Sequence, residues 1–325
     1  MNARKRKRGR VVLFAILGLG ILSIIAVILV VILIINLLKP EPGGPTGPSG
    51  EPPSSAAPRP TAQPADCPDV QVIVVPGTWE SASDDDPYNP TANPNSLMLK
   101  VSAPLSNEFD ASRADVYTVP YVAQFKNPTN LADRQTTYND SRAEGTNKTR
   151  AKIAEVNQKC PLTSYLLMGF SQGAVIAGDI AGEIGNGRGP VAQDLVVGVG
   201  LIADGRRQPN QVDNAGPNPP GVGAEIALDI LPIPGINLTG PRPGGFGELT
   251  DRTYSLCAPG DLICDAPTIS NPVEGLTKLM GAVNNPVHAM YNTTRYWSDN
   301  GQPATTWMTD WARGVIDEAP FPKHE

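Results

Sequence analysis

Residues 164–185 read Ser-Tyr-Leu-Leu-Met-Gly-Phe-Ser-Gln-Gly-Ala-Val-Ile-Ala-Gly-Asp-Ile-Ala-Gly-Glu-Ile-Gly. Residues 164–168 are an apolar run of strand length that enters Gly169. Residues 174–184 are small and apolar, with helical spacing. Between them lies Gly169-Phe170-Ser171-Gln172-Gly173, a Gly-x-Ser-x-Gly turn. A strand turning sharply into a helix needs small flanking residues, because the serine backbone is strained and neighbours pack close to it. The helix N-terminus also offers free N–H groups to a developing oxyanion. The pentapeptide alone would equally suit a helix-capping serine. The strand before it and the helix after it select Ser171 as a nucleophile.

Outward from this elbow the same alternation repeats. Val70–Val75 (VQVIVV) is a continuous, mostly β-branched run closed by Pro76-Gly77, as expected of a strand buried on both faces. Residues 114–119, 196–203 and 253–257 are further strand candidates. Residues 141–159, 275–283 and 305–316 read as helices. Strands alternating with helices predict an α/β fold with a central parallel sheet and helices on both faces. Residues 206–250 interrupt the pattern with a long segment dense in Gly, Pro and Asn. It carries Ile226, Leu228, Ile230, Leu231, Ile233, Ile236 and Leu238. These either pack as a satellite core or wall an acyl groove beside Ser171.

The chain has 325 residues, with 32 Gly and 34 Pro, about a fifth of the total against about 12% in ordinary proteins. That excess excludes a helical bundle or coiled coil. The net charge is −6, yet residues 1–10 contribute +6 through Arg4, Lys5, Arg6, Lys7, Arg8 and Arg10, leaving −12 for the rest. So acidic a body excludes non-specific nucleic-acid binding, which needs cations to neutralise phosphates. Residues 11–38, opening at Val11 and closing at Leu38, carry no charge. As a helix they would reach about 42 Å, enough to cross a bilayer and too long for a cleaved signal. They predict a transmembrane signal anchor behind a cytoplasmic basic tail, residues 1–10. Residues 39–66 hold nine prolines and four glycines, which predicts a disordered linker. Residues 67–325 are then the folded domain, outside the cell membrane and expected to be monomeric.

The four cysteines, Cys67, Cys160, Cys257 and Cys264, all lie in that exported part. An even count in an oxidising compartment favours two disulfides. Three pairings are possible. Cys257 and Cys264 close a short loop, which leaves Cys67 with Cys160. There is no Cys-x-x-Cys and only two histidines, so neither a metal site nor a cofactor is expected.

A serine nucleophile needs a base. His324 is penultimate, in a charged tail expected to fray. That leaves His288, after Asn285-Pro286-Val287. The acid should fall between Ser171 and His288 in the order Ser…Asp…His. The candidates are Asp179, Asp194, Asp204, Asp229, Asp251, Asp261 and Asp265. Asp204 follows the strand at 196–203, although it would serve equally as a turn residue. Asp261 is favoured, because it lies inside the loop Cys257-Ala-Pro-Gly-Asp-Leu-Ile-Cys264, where a disulfide would hold the carboxylate against an imidazole.

The Gly-Phe-Ser-Gln-Gly elbow, the Cys-x-x-Gly-Asp-x-Ile-Cys loop and the later histidine resemble the cutinase family of serine esterases over residues 67–320. The anchored form resembles the membrane-bound cutinase-like lipases of mycolic-acid-producing actinobacteria. The resemblance implies an α/β-hydrolase with Ser171 as nucleophile, Asp261 as acid and His288 as base. It also implies an oxyanion hole from Thr78, in Pro76-Gly77-Thr78-Trp79-Glu80, and the amide of Gln172. For that subgroup it implies phospholipase or thioesterase action on cell-envelope lipids. The alternatives are an esterase on acetylated polysaccharide or cutin-like polyester, and a non-enzymatic envelope protein that binds lipid. Residues 206–250 and the long interval from Asp261 to His288 depart from the fungal members.

Overall fold

The computed structural model describes residues 59–127, 130, 132–229, 235–267, 281 and 285–325. Six strands among them form one parallel sheet in the order β2-β1-β3-β4-β6-β5. They are β1 (Val70–Val75), β2 (Ala114–Thr118), β3 (Ser164–Phe170), β4 (Val196–Ile202), β5 (Asp213–Asn214) and β6 (Thr253–Leu256). The helices are α1 (Leu99–Glu108), α2 (Tyr138–Lys159), α3 (Gln172–Gly185), the single turn α4 (Ala224–Ala227) and α5 (Ala304–Glu318).

The two-residue side-chain period of a strand divides the core in two. Val70, Val72 and Val74 of β1 join Leu105 of α1 and Met308 and Ile316 of α5 on one face. Ile73 and Val75 turn to the other face and meet Ile153 of α2 and Ile176 of α3. Both faces of β1 are therefore dry, which is why five of its six residues are apolar, and the sixth, Gln71, is buried with its side chain donating to Asp115 O at 2.7 Å.

The sheet and its flanking helices agree with the sequence expectation, with shifted ends. The helix expected from residue 141 starts at Tyr138, because Thr137 caps it by accepting from the Asp140 N–H at 3.2 Å. Helix α1 and the short edge strand β5 are additions. Most of the helix expected at 275–283 lies outside the described residues, as does the span 11–38. No helix among the described residues is long and apolar enough to cross a membrane.

The linker boundary moves. Ala62 and Gln63 are buried, so packing begins before Cys67. Gln63 pairs with the C-terminal tail through Gln63 N–Lys323 O (2.9 Å) and Glu325 N–Gln63 O (3.0 Å), and its side chain accepts from Leu162 N at 3.1 Å. Those bonds offset the entropy of ordering a Pro-rich stretch. The same pairing corrects the expected fraying of the tail. His324 Nε2 lies 2.8 Å from Asp69 Oδ1.

The segment 206–250 packs on the domain through a small apolar cluster, Tyr138, Ala224, Ala227, Leu228, Ile236 and Ala266. A buried ionic network fastens it. Arg242 holds Asp204 at 2.6 and 2.9 Å and Asp179 at 2.9 Å. Arg206 reaches Asp179 at 2.8 Å, and Arg142 bridges Asp179 to Glu225. Three cations face three carboxylates, so no buried charge is left uncompensated in this group.

Candidate active site

Strand β3 ends at Phe170 and α3 begins at Gln172, so Ser171 alone makes the turn, with φ 55° and ψ −120°. That conformation is strained for a residue with a side chain, and strained residues cluster at functional sites. The flanking glycines allow it. A Cβ at Gly173 would come within 2.1 Å of Val75 O, and one at Gly169 within 2.4 Å of Gly173 O. The elbow therefore packs against the C-terminal end of β1, where the loop carrying Thr78 begins.

Ser171 Oγ lies 2.9 Å from His288 Nε2. On the other side of the ring, Nδ1 lies 2.9 Å from Asp261 Oδ2 and 3.1 Å from Oδ1. With its proton on Nδ1 donated to the carboxylate, the imidazole presents Nε2 as acceptor to the serine hydroxyl. The Phe170 ring stacks on His288 with centroids 4.9 Å apart. Asp261 sits within the loop closed by the Cys257–Cys264 disulfide and is fully buried. The second disulfide joins Cys67 to Cys160. Burial pushes the Asp261 carboxyl up. The His288 charge and the hydrogen bonds from His288, Ile263 N and Tyr291 outweigh it and hold the carboxyl below its ordinary value.

The competing acid is elsewhere. Asp204 spends both oxygens on Arg242 and accepts from Arg206 N at 3.0 Å, as a turn residue does. His324, bound to Asp69 just before β1, is at the opposite end of the strands from Ser171.

Thr78 and Gln172 line the same cleft as Ser171 and His288. The loop bearing Thr78 is pinned at three points. Tyr121 Oη donates to Pro76 O at 2.7 Å, Gly77 N donates to Glu80 Oε2 at 2.9 Å, and Trp79 N donates to Ala123 O at 2.5 Å. Glu80 is buried and also accepts from Leu97 N. Burial raises its pKa against the hydrogen bonds that favour the ionised form. The Gln172 side chain turns inward, where Ser141 Oγ donates to its Oε1 at 2.9 Å. Its backbone N–H, at the first position of α3, has no partner within the helix.

Three contributors had no signature in the sequence. Tyr291 is buried, donates to Asp261 Oδ2 at 2.8 Å, and accepts from Ala258 N at 2.9 Å. Glu80 props the loop that bears Thr78. Trp79 stands at the cleft rim. Each depends on which loops the fold brings together. Among the described residues no group of His, Cys, Asp and Glu could hold a metal ion.

The cleft has a volume of about 420 Å³. One wall is apolar: Phe125, Val175, Ala224, Ile236, Leu238 and Ile263. Ile236 and Leu238 come from the segment 206–250, which therefore contributes both a satellite cluster and part of the cleft. Leu228 belongs to the cluster and does not line the cleft. Ile230, Leu231 and Ile233 lie outside the described residues.

The cutinase family profile matches residues 66–307. A carboxylesterase Culp6 homolog of Corynebacterium glutamicum is 44% identical over 278 residues, covering 82% of this chain and 87% of that protein. Among solved structures, the catalytic core domain of acetyl xylan esterase from Trichoderma reesei is 17% identical, covering 78% of this chain and all of that one, with a TM-score of 0.49. A cutinase-like protein from Cryptococcus is 20% identical, covers 81% of this chain and all of that one, and has a TM-score of 0.44. Family membership follows from the first two matches alone.

Proposed function

This chain belongs to the cutinase family and is a serine carboxylic ester hydrolase, and from that premise we propose that it cleaves long-chain acyl esters of cell-envelope lipids. Phospholipid esters and acyl thioesters fall within that class. Ser171 attacks the acyl carbonyl while His288 takes its proton. His288 returns the proton to the leaving alcohol or thiol, and water repeats the sequence to release the acid. Asp261 holds the imidazole tautomer and stabilises the imidazolium. The amide of Gln172 and Thr78 stabilise the tetrahedral oxyanion, a contribution of about 3–4 kcal/mol per donor. The chemistry needs no cofactor.

The observation that carries the acyl-lipid reading is the lining of the cleft. Three of its polar residues are committed within the protein. Glu225 accepts from Tyr138 Oη, Arg142 and Thr239. Asn93 donates to Trp79 O at 3.0 Å, and Asn285 donates to Gly260 O at 2.7 Å. What remains for a ligand is chiefly apolar wall. A two-carbon acetyl group would leave most of 420 Å³ unfilled, whereas an alkyl chain gains by displacing water along that wall. This supports the lipid substrate over acetylated polysaccharide.

Residues 1–10 and 11–38 complete the proposal. They support a single-pass protein with a cytoplasmic N-terminus and the hydrolase outside the cell membrane. The test is a panel of acyl esters, phospholipids and acyl thioesters, run with fluorophosphonate labelling. Labelling confined to Ser171, with rates rising with chain length, is the expected result. An unlabelled protein would be a lipid binder, and a preference for acetyl esters would overturn the substrate class.

A further inference from the structure

Among the described residues, three large apolar side chains are exposed, Trp79, Tyr88 and Phe321, and of these Trp79 lines the catalytic cleft. It is 50% exposed. Its backbone has φ 65°, a left-handed conformation that a bulky residue rarely adopts. Three hydrogen bonds hold it there. Its N–H donates to Ala123 O at 2.5 Å, its carbonyl accepts from Asn93 Nδ2 at 3.0 Å, and its indole Nε1 donates to Gln135 Oε1 at 2.6 Å. The fold thus holds a large apolar ring half in water, through a strained backbone, beside the nucleophile. Burial in the free protein accounts for only half of the residue's surface. Because Nε1–H is already engaged, the exposed part of the ring has no donor left and offers a ligand only its apolar π face.

We propose that Trp79 is a specificity-determining platform for the distal part of a long acyl chain. Methylene units that extend past the wall of Phe125 and Leu238 lie on its exposed face. The proposal rests on the acyl-ester reading above and deepens it. Trp79 follows Thr78 directly, so contact far from the ester is made by the loop that carries the oxyanion donor. Binding energy from a remote part of the substrate is then available to order the reacting centre. The ligand is the substrate's own chain, not the surface of a bilayer.

The test uses the full chain as wild type, Trp79→Ala, Trp79→Phe and Gln135→Ala. The substrates are p-nitrophenyl butyrate, octanoate and laurate below their aggregation concentrations, and phosphatidylcholine vesicles. Trp79→Ala is expected to lower kcat/KM for laurate by roughly tenfold, mainly through KM, with a much smaller loss on butyrate. Trp79→Phe should recover most of the laurate rate, and Gln135→Ala should give an intermediate loss on laurate. Equal loss on all three esters would make Trp79 only a brace for the oxyanion loop and overturn the proposal. Unchanged rates would overturn it too. A loss on vesicles with monomeric laurate unaffected would assign the ring to a lipid surface instead. A wild type that hydrolyses no ester and takes no fluorophosphonate would remove the Ser171 reading and the platform with it.

Discussion

Tyr291 and Asp261 share a hydrogen bond of 2.8 Å from the phenol to Oδ2, the same carboxylate oxygen that lies 2.9 Å from His288 Nδ1. Burial, and then the Asp261 charge, hold the phenol well above its ordinary pKa, so it remains a donor throughout the working range. One oxygen therefore receives both the phenol proton and the imidazole proton. The phenol limits how much negative charge the carboxylate lends to the imidazolium.

Tyr291→Phe keeps the ring against Phe170 and removes that donor. The Asp261 pKa should move up toward the ordinary carboxylate range, because the hydrogen bond that favoured ionisation is gone. A more basic carboxylate holds the imidazolium proton more strongly, so the acid limb of the kcat/KM profile should move to higher pH. The other charged groups around this site are Asp265, which accepts from Gly260 N, and Arg207, which donates to Cys264 O, and neither is altered. A hydrogen bond to a charged group contributes about 1.5–3 kcal/mol, so the variant should also lose stability of that order. A fall in melting temperature with no movement of the limb would mean that Tyr291 is only structural.

Ser171→Ala and His288→Ala should each abolish turnover; the first should leave the fold intact, and the second should also cost some stability, because buried Asp261 loses a partner. His324→Ala should leave turnover unchanged. Its cost is to stability alone, because Asp69 loses a partner far from the cleft. Circular dichroism and ester hydrolysis on the three variants check this. Residual hydrolysis by Ser171→Ala would remove the nucleophile assignment.

Much of this arrangement was legible because its signals are local. Val70–Val75 is apolar at all positions but Gln71 since both its faces are covered, and the glycines around Ser171 mark a close approach of backbones. Helix α1 was not legible. It contains Pro104, and only Val101, Ser102 and Leu105 are buried, which is too short a stripe to stand out. Strand β5 is two polar residues that pair because β6 is beside them. Tyr291 and Glu80 act through contacts set by tertiary packing, and no residue next to them in sequence marks the role. His324 looked free because a charged terminus usually is. Its partners, Asp69 and Pro64, are 255 and 260 residues away along the chain.

The two disulfides should separate in their effects. Cys257→Ser with Cys264→Ser frees the loop that presents Asp261, so turnover should fall more than melting temperature. Cys67→Ser with Cys160→Ser opens a link across a separation of 93 residues and should cost about 2–5 kcal/mol of stability with little change in turnover. Denaturation and ester kinetics on both pairs decide it, and the reverse pattern would contradict the role given to the short loop.

Asp179 makes the segment 206–250 acid-sensitive. Burial pushes its carboxyl up, but Arg242, Arg142 and Arg206 outweigh that and hold it below its ordinary value of 3.8. The stabilisation is therefore complete above that value and is lost as pH falls through the lower folded value. Asp179→Asn should be strongly destabilised near neutrality, by about 3–5 kcal/mol, because three arginines lose a shared partner. The gap between wild type and variant should close on acidification below 3.8. A gap that stays constant through that range would mean the network contributes nothing through charge.

The apolar part of the segment 206–250 divides by where each side chain points. Leu228 is 2% exposed, packs within the satellite cluster and does not line the cleft. Leu228→Asp would bury an unpaired carboxylate there and should lower the melting temperature, with equal loss on short and long esters. Ile236 and Leu238 line the cleft. Ile236→Ala with Leu238→Ala removes wall in contact with an acyl chain, and each lost methylene contact in an apolar pocket is worth about 1–3 kcal/mol of discrimination. The double variant should therefore depress laurate hydrolysis by at least roughly tenfold and largely spare butyrate, whose chain ends near Ser171. The comparison is a ratio of kcat/KM values, so a general loss of active enzyme cancels from it. An unchanged laurate-to-butyrate ratio in Ile236→Ala with Leu238→Ala would show that the segment only braces the domain and that chain length is read elsewhere.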